Sequence, residues 1–136
     1  KEALLEHSLP FNNEYAKGFN FNEIQNGFAR MLSLANPPTA FLAGNDLVLM
    51  EILKFTKSKG IKIPDDFSLI GIDDVSFANI YHPPLTTIAQ PAFEIGKEAA
   101  ELLIKKIKSK KSPVAKTHRF EPKLIIRDSV KNLKKT

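Results

Sequence analysis

The chain has no cysteine. That excludes a disulfide framework and thiolate chemistry, and it fits a reducing, cytoplasmic setting. No apolar run reaches the roughly 18 residues of a transmembrane helix. No Gly-rich phosphate loop is present, and no Gly-x-x-x-x-Gly-Lys-Ser/Thr pattern. His7, His82 and His118 lie far apart and lack the spacing of a helical metal pair, so no metal site is expected. No nucleophile is paired with a base, so no catalytic residue is assigned, the chain is read as a non-enzyme, and no cofactor is implied. Internal repeats and low-complexity segments are absent. There is no N-terminal signal; the opening Lys1-Glu-Ala-Leu-Leu-Glu6 reads as a helix under way, which predicts that the chain begins inside a longer protein.

What is present is ordinary for a globular domain. The 136 residues are 43% apolar and 26% charged, enough for one core. The net charge of +5 is uneven. Lys105, Lys106, Lys108, Lys110 and Lys111 form one cluster, and Lys131, Lys134 and Lys135 another. No aromatic residues interleave with them, so they read as a solvated helix end and a polar tail rather than a nucleic-acid surface.

Along the chain, the pattern alternates between helix and strand. After the opening helix, Asn12 and Asn13 form a turn, and 14–21 is mixed, with room for a short strand. Asn22 is placed to cap a helix, with Gln25 completing a capping box and Ile24, Phe28, Met31, Leu32 and Ala35 as its apolar stripe. Asn36-Pro37-Pro38 stops it. A strand over 39–43 leads through Gly44-Asn45-Asp46 into a helix that Gly60 terminates. That helix is apolar nearly all round (Leu47, Val48, Leu49, Met50, Ile52, Leu53, Phe55), which predicts burial on more than one side.

Ile63-Pro-Asp-Asp66 then turns the chain into Phe67, Leu69, Ile70 and Ile72, a run that reads as a strand buried on both faces. One helical turn over 75–81, a break at His82-Pro83-Pro84 and a short strand over 85–89 follow. Pro91 opens an amphipathic helix with the stripe Phe93, Gly96, Ala100, Leu103 and Ile107. Two short strands, 114–120 and 123–127, close the pattern. Strand–helix–strand order with short loops argues for βαβ units and a parallel sheet.

In such sheets ligands bind at the carboxyl ends of the strands. Asn45, Asp73 and Gln90 each lie just beyond an apolar strand. An amide and a carboxylate there can fork hydrogen bonds onto vicinal hydroxyls or ring nitrogens. Each residue taken alone reads better as a helix cap; their recurrence at three strand ends is the argument for a ligand edge. Asp73 and Asp74 do not make a magnesium or acid–base pair, because adjacent side chains in a strand or turn point apart.

Three ordered stretches resemble the LacI/GalR family of bacterial transcription regulators: Pro38 to Asp46, Gly60 to Asp74 and Pro83 to Pro91. Ile95 to Ala99, Leu102-Leu103 and Pro122 to Ser129 are similar to that family's closing segment. The resemblance implies an α/β fold, a parallel sheet flanked by helices: a periplasmic-binding-protein-like (type I) C-terminal lobe plus one crossover segment. Residues 1–89 would form the C-terminal lobe, incomplete at its start; 90–119 would cross into the N-terminal lobe; 120–129 would return; 130–136 is a polar tail. It further implies a sugar-like or nucleobase-like effector between two lobes, coupled to an absent N-terminal helix-turn-helix that binds operator DNA. By position, Asn45, Asp73 and Gln90 match the family's effector-binding amide, carboxylate and hinge glutamine. Phe21 matches its stacking aromatic, with Phe19 competing. Met50, Lys54, Ile80 and Tyr81 match its homodimer face. Leu49 and Glu51 stand where the family has small residues, which predicts looser or rotated packing there. The stripe Phe93, Gly96, Ala100, Leu103 and Ile107, left without its lobe, predicts self-association. The alternative of the same fold is a sugar-binding component of a transport system.

Overall fold

The computed structural model describes residues 1–109 and 116–133. Helix α1 (Glu2–Glu6) is short and buries nothing. No strand forms in 14–21; two 3-10 turns, Asn13–Tyr15 and Phe21–Glu23, take its place. Helix α2 (Ile24–Leu32) therefore starts one residue later than the Asn22 cap predicts, with Glu23 in the cap position. Asn20 precedes the second turn and its Nδ2 donates to Glu23 Oε2 at 3.2 Å. Gln25 is not spent on a capping box but reaches Glu51 on the next helix.

Strand β1 (Ala40–Ala43) enters helix α3 (Asp46–Lys59), which ends on Gly60 in the left-handed conformation at φ 67°. Strands β2 (Ser68–Ile72) and β3 (Thr86–Ala89) follow, then helix α4 (Ala92–Lys108) and strand β4 (Lys123–Ile125). The sheet order is β1-β2-β3-β4. The first three strands are parallel, as βαβ order predicts; β4 returns antiparallel to β3. The strand expected over 114–120 falls partly outside the described residues, and 116–120 is not a strand.

Helices α2 and α3 cover one face of the sheet. Phe28 of α2 sits at its centre, edge-on to Phe41, Phe67 and Phe55 with ring centroids 4.7, 5.5 and 5.6 Å away. Leu49 of α3 is fully buried over Gly71, where a Cβ would come within 2.7 Å of Leu49 Cδ2. The missing side chain on the strand thus admits the large one on the helix, and Leu49 is tightly rather than loosely packed. Glu51 also turns inward, to Gln25 Nε2 and Lys54 Nζ, each at 2.7 Å.

The opposite face is covered only in part. Ile70, Ile72 and Ile88 are half-buried, while Leu42 at the β1 edge stays 60% exposed. The strand expected to be buried on both faces is thus fully buried on one. Helix α4 has no buried residue, and its stripe residues Phe93, Leu103 and Ile107 lie in the open.

The segment after β4 stitches the sheet at the amino ends of its strands. The Leu69 N–H donates to the Ser129 carbonyl, the Ser129 hydroxyl to the Leu69 carbonyl, and the Thr86 N–H to Ser129 Oγ at 2.8 Å. No helix among the described residues is long and apolar enough to cross a membrane.

Candidate functional site

Parallel pairing sets the carboxyl ends of β1, β2 and β3 on one edge, with Ala43 opposite Gly71 and Ile72 opposite Ile88. Asn45, Asp73 and Gln90 leave the sheet from that edge. The structure joins two of them directly: Gln90 Nε2 donates to Asp73 Oδ1 at 2.7 Å. The Asp73 N–H donates to the Ile88 carbonyl at 3.0 Å, and its φ is 75°. That left-handed conformation is uncommon for a side-chain-bearing residue, though Asp and Asn tolerate it best. It turns the chain sharply out of β2.

Asn45 is a helix cap, since its Oδ1 accepts from the Val48 N–H at 2.9 Å. Capping uses only the oxygen. Among the described residues its Nδ2 has no partner, and the same holds for Asp73 Oδ2 and Gln90 Oε1. The edge therefore offers one free amide donor and two free acceptors, one of them anionic. That mixture suits a neutral ligand bearing several hydroxyls or ring nitrogens.

The two aromatic candidates differ in what they already do. Phe19 is half-buried and packs across Gly27, where a Cβ would fall 2.2 Å from its ring. Phe21 is 56% exposed and makes no ring contact with another aromatic among the described residues. No hydrogen bond or ring contact ties it to the trio at the strand ends.

Asp74 is occupied. Its Oδ1 accepts from Thr87 Oγ1 at 2.7 Å and from Arg127 Nη1 at 2.8 Å, and its Oδ2 from Arg127 Nη2 at 3.3 Å. The Arg127 guanidinium, followed by the Thr87 hydroxyl, holds the Asp74 carboxyl below its ordinary value of 3.8, against the opposing pull of burial. Sequence reading assigned Arg127 and Thr87 no role. Nothing local announces a pair whose members are 53 residues apart.

A second surface gathers residues named from sequence. Met50, Leu53 and Lys54 of α3 line an open groove of about 440 Å³ with Phe77, Ile80 and Tyr81. All four predicted dimer-face residues are in it, and Ile80 is 80% exposed. Lys54 is fixed there by Glu51, whose carboxyl the bonds from Lys54 and Gln25 hold below the usual 4.5. Glu51 and Leu49 face the core and α2 rather than the groove. Among the described residues no three His, Cys, Asp or Glu side chains come together as a metal site.

The model of a periplasmic binding protein-like domain matches residues 1–130. The chain is 42% identical over 136 residues to a probable HTH-type transcriptional regulator, EndR, of Paenibacillus polymyxa, covering 98% of the chain and 40% of that relative. It thus spans about 40% of the length of the curated relatives it matches. Among solved structures, a putative LacI transcriptional regulator from Bacillus cereus subsp. cytotoxis superposes with a TM-score of 0.82 at 28% identity, covering 96% of the chain and 46% of that protein. A LacI family transcriptional regulator from Enterococcus faecium, with bound ribose, gives 0.76 at 29% identity, covering 98% and 49%.

Proposed function

Because the chain belongs to the periplasmic binding protein-like domain family, we propose that it is the effector-sensing part of a LacI/GalR-type transcription regulator, working by binding rather than catalysis. Its effector is a small sugar-like or nucleobase-like molecule held at the edge formed by Asn45, Asp73 and Gln90, with Phe21 as the stacking surface. The observation that carries this reading is the unspent set of Asn45 Nδ2, Asp73 Oδ2 and Gln90 Oε1 at aligned strand ends. The ribose bound by the Enterococcus faecium neighbour is a ligand of that chemistry.

The trio lies on open surface, with Asn45 and Gln90 exposed. In this reading 90–119 belongs to a second lobe that closes over the edge, which accounts for α4 standing clear of the sheet. The groove of Met50, Lys54, Ile80 and Tyr81 serves as the homodimer face, and operator DNA is bound by a separate helix-turn-helix. The transport alternative is not favoured, since the relative and both solved neighbours are transcription regulators.

A thermal-shift panel tests the proposal, with ribose first, then other monosaccharides, disaccharides and purines. A true effector at 100 times its Kd raises folding stability by about 2.7 kcal/mol. A panel in which no member shifts the transition would overturn the reading.

A further inference from the structure

We propose that Arg127 is a positioning residue for the ligand edge: it clamps Asp74 and thereby fixes the backbone and carboxylate of Asp73. The role in ligand binding rests on the reading of Asp73 as the effector-facing acid. The clamp itself rests on geometry.

Asp73 leaves β2 at φ 75°. A disfavoured backbone of this kind persists only where its surroundings over-determine it. Two restraints come from β3 and its end: the Ile88 carbonyl takes the Asp73 N–H, and Gln90 takes Oδ1. Neither restrains the far side of the Asp73 peptide, where the chain continues into Asp74. That side is held by Arg127, which uses both Nη atoms on the two Asp74 oxygens. Nη1 also donates to the Leu85 carbonyl at 2.7 Å and to Thr87 Oγ1 at 3.1 Å.

The clamp has a rigid mount. The Arg127 N–H donates to Thr86 Oγ1 at 3.0 Å, and the Thr86 hydroxyl donates back to the Arg127 carbonyl at 3.1 Å. The next two residues are pinned as well, Asp128 to the Pro84 carbonyl and Ser129 between β2 and β3. The Arg127 side chain is only 18% exposed. It therefore runs from the returning segment, across β3, to the residue beside Asp73.

The geometry requires arginine rather than a positive charge. A planar fork reaches two carboxylate oxygens and a carbonyl together; a single ammonium does not reproduce that arrangement. Arg127→Lys is thus expected to loosen Asp73 even though it keeps the charge and the fold.

The test is amide hydrogen exchange on the chain as it stands, without ligand, comparing Arg127→Lys and Asp74→Asn with the parent. The Asp73 amide, bonded to Ile88, is the reporter, and the Leu69 amide, bonded to Ser129, is the internal control. The expected result is exchange at Asp73 faster by about tenfold in both variants, with Leu69 changed by less than about twofold. Unchanged exchange at Asp73 would overturn the proposal. So would equal acceleration at both amides, because Arg127 would then serve general stability alone. A failed sugar panel would instead remove the effector reading and leave the exchange result standing.

Discussion

Replacing Asp73 by asparagine isolates the charge of the carboxylate from its shape. Asparagine accepts a left-handed backbone about as readily as aspartate, so φ 75° carries little new strain. Its Oδ1 still accepts from Gln90 Nε2. What changes is the other terminal atom, from an anionic acceptor to an amide donor. A hydrogen bond to a charged group contributes about 1.5–3 kcal/mol, so each ligand hydroxyl lost there costs about 10- to 150-fold in affinity. Folding stability should move by less than about 0.5 kcal/mol, as for other substitutions at the surface. Asp73→Ala gives a contrasting pattern. It loses the same ligand bond, frees Gln90, and places a residue with no local hydrogen-bonding group in the left-handed region, at about 1–2 kcal/mol of stability. Calorimetric titration with ribose, or with whichever sugar stabilises the parent, measures affinity, and urea unfolding measures stability. Equal affinity in Asp73→Asn and the parent would refute the reasoning.

Three further outcomes follow from the geometry. Ile80→Ser should weaken self-association through the groove: an isoleucine 80% exposed gains about 1–2.5 kcal/mol on burial, counted twice across a two-fold interface. The dissociation constant by sedimentation should rise at least about 30-fold, and an unchanged value would place association elsewhere, with the exposed α4 stripe the next surface. Acid should destabilise the fold, because the folded-state pKa values of Asp74 and Glu51 lie below their ordinary 3.8 and 4.5. Their contribution is complete above those ordinary values and disappears as pH falls through the depressed ones; Arg127→Met should flatten the Asp74 part of a stability-versus-pH curve. Gly27→Ala should expel the Phe19 ring, whose nearest atom would lie 2.2 Å from the new methyl. The helix gains about 1 kcal/mol against about 1–3 kcal/mol of overpacking, so a clearly stabilised variant in urea unfolding would contradict that packing.

Much of the scaffold is legible residue by residue. Asn45 as cap and Gly60 as stop bound α3 where the pattern places it, because both signals act through backbone atoms within one turn. The apolar runs mark β1, β2 and β3 for the same local reason. The failures are tertiary. Gln25 reads as a capping-box partner, yet Glu51 competes for its amide from the neighbouring helix. Residues 14–21 carry enough bulky side chains for a strand, but they pair with neither edge of the sheet, and 3-10 turns form at the two ends of the segment instead. Ile70 and Ile72 suggest a strand covered on both faces, yet both stay only half-buried, because covering the second face depends on elements distant in the chain. At the proposed ligand edge, the shared position of the three strand-end residues was legible because parallel strands end on one carboxyl edge. The Arg127–Asp74 pair was not, because it depends on where the returning segment lies. The glycine under Leu49 shows the same limit: a bulky residue at a small-residue position reads as misfit until its partner across the interface is known.

The most direct test of the account follows amide and side-chain NH₂ resonances while ribose, or the sugar selected by thermal shift, is titrated into the protein. The account predicts saturable shifts concentrated at the backbone of Asp73 and Asp74 and at the side-chain amides of Asn45 and Gln90, lost in Asp73→Asn. Saturable shifts confined to another surface, such as the Met50–Ile80 groove, with these four unmoved, would contradict it.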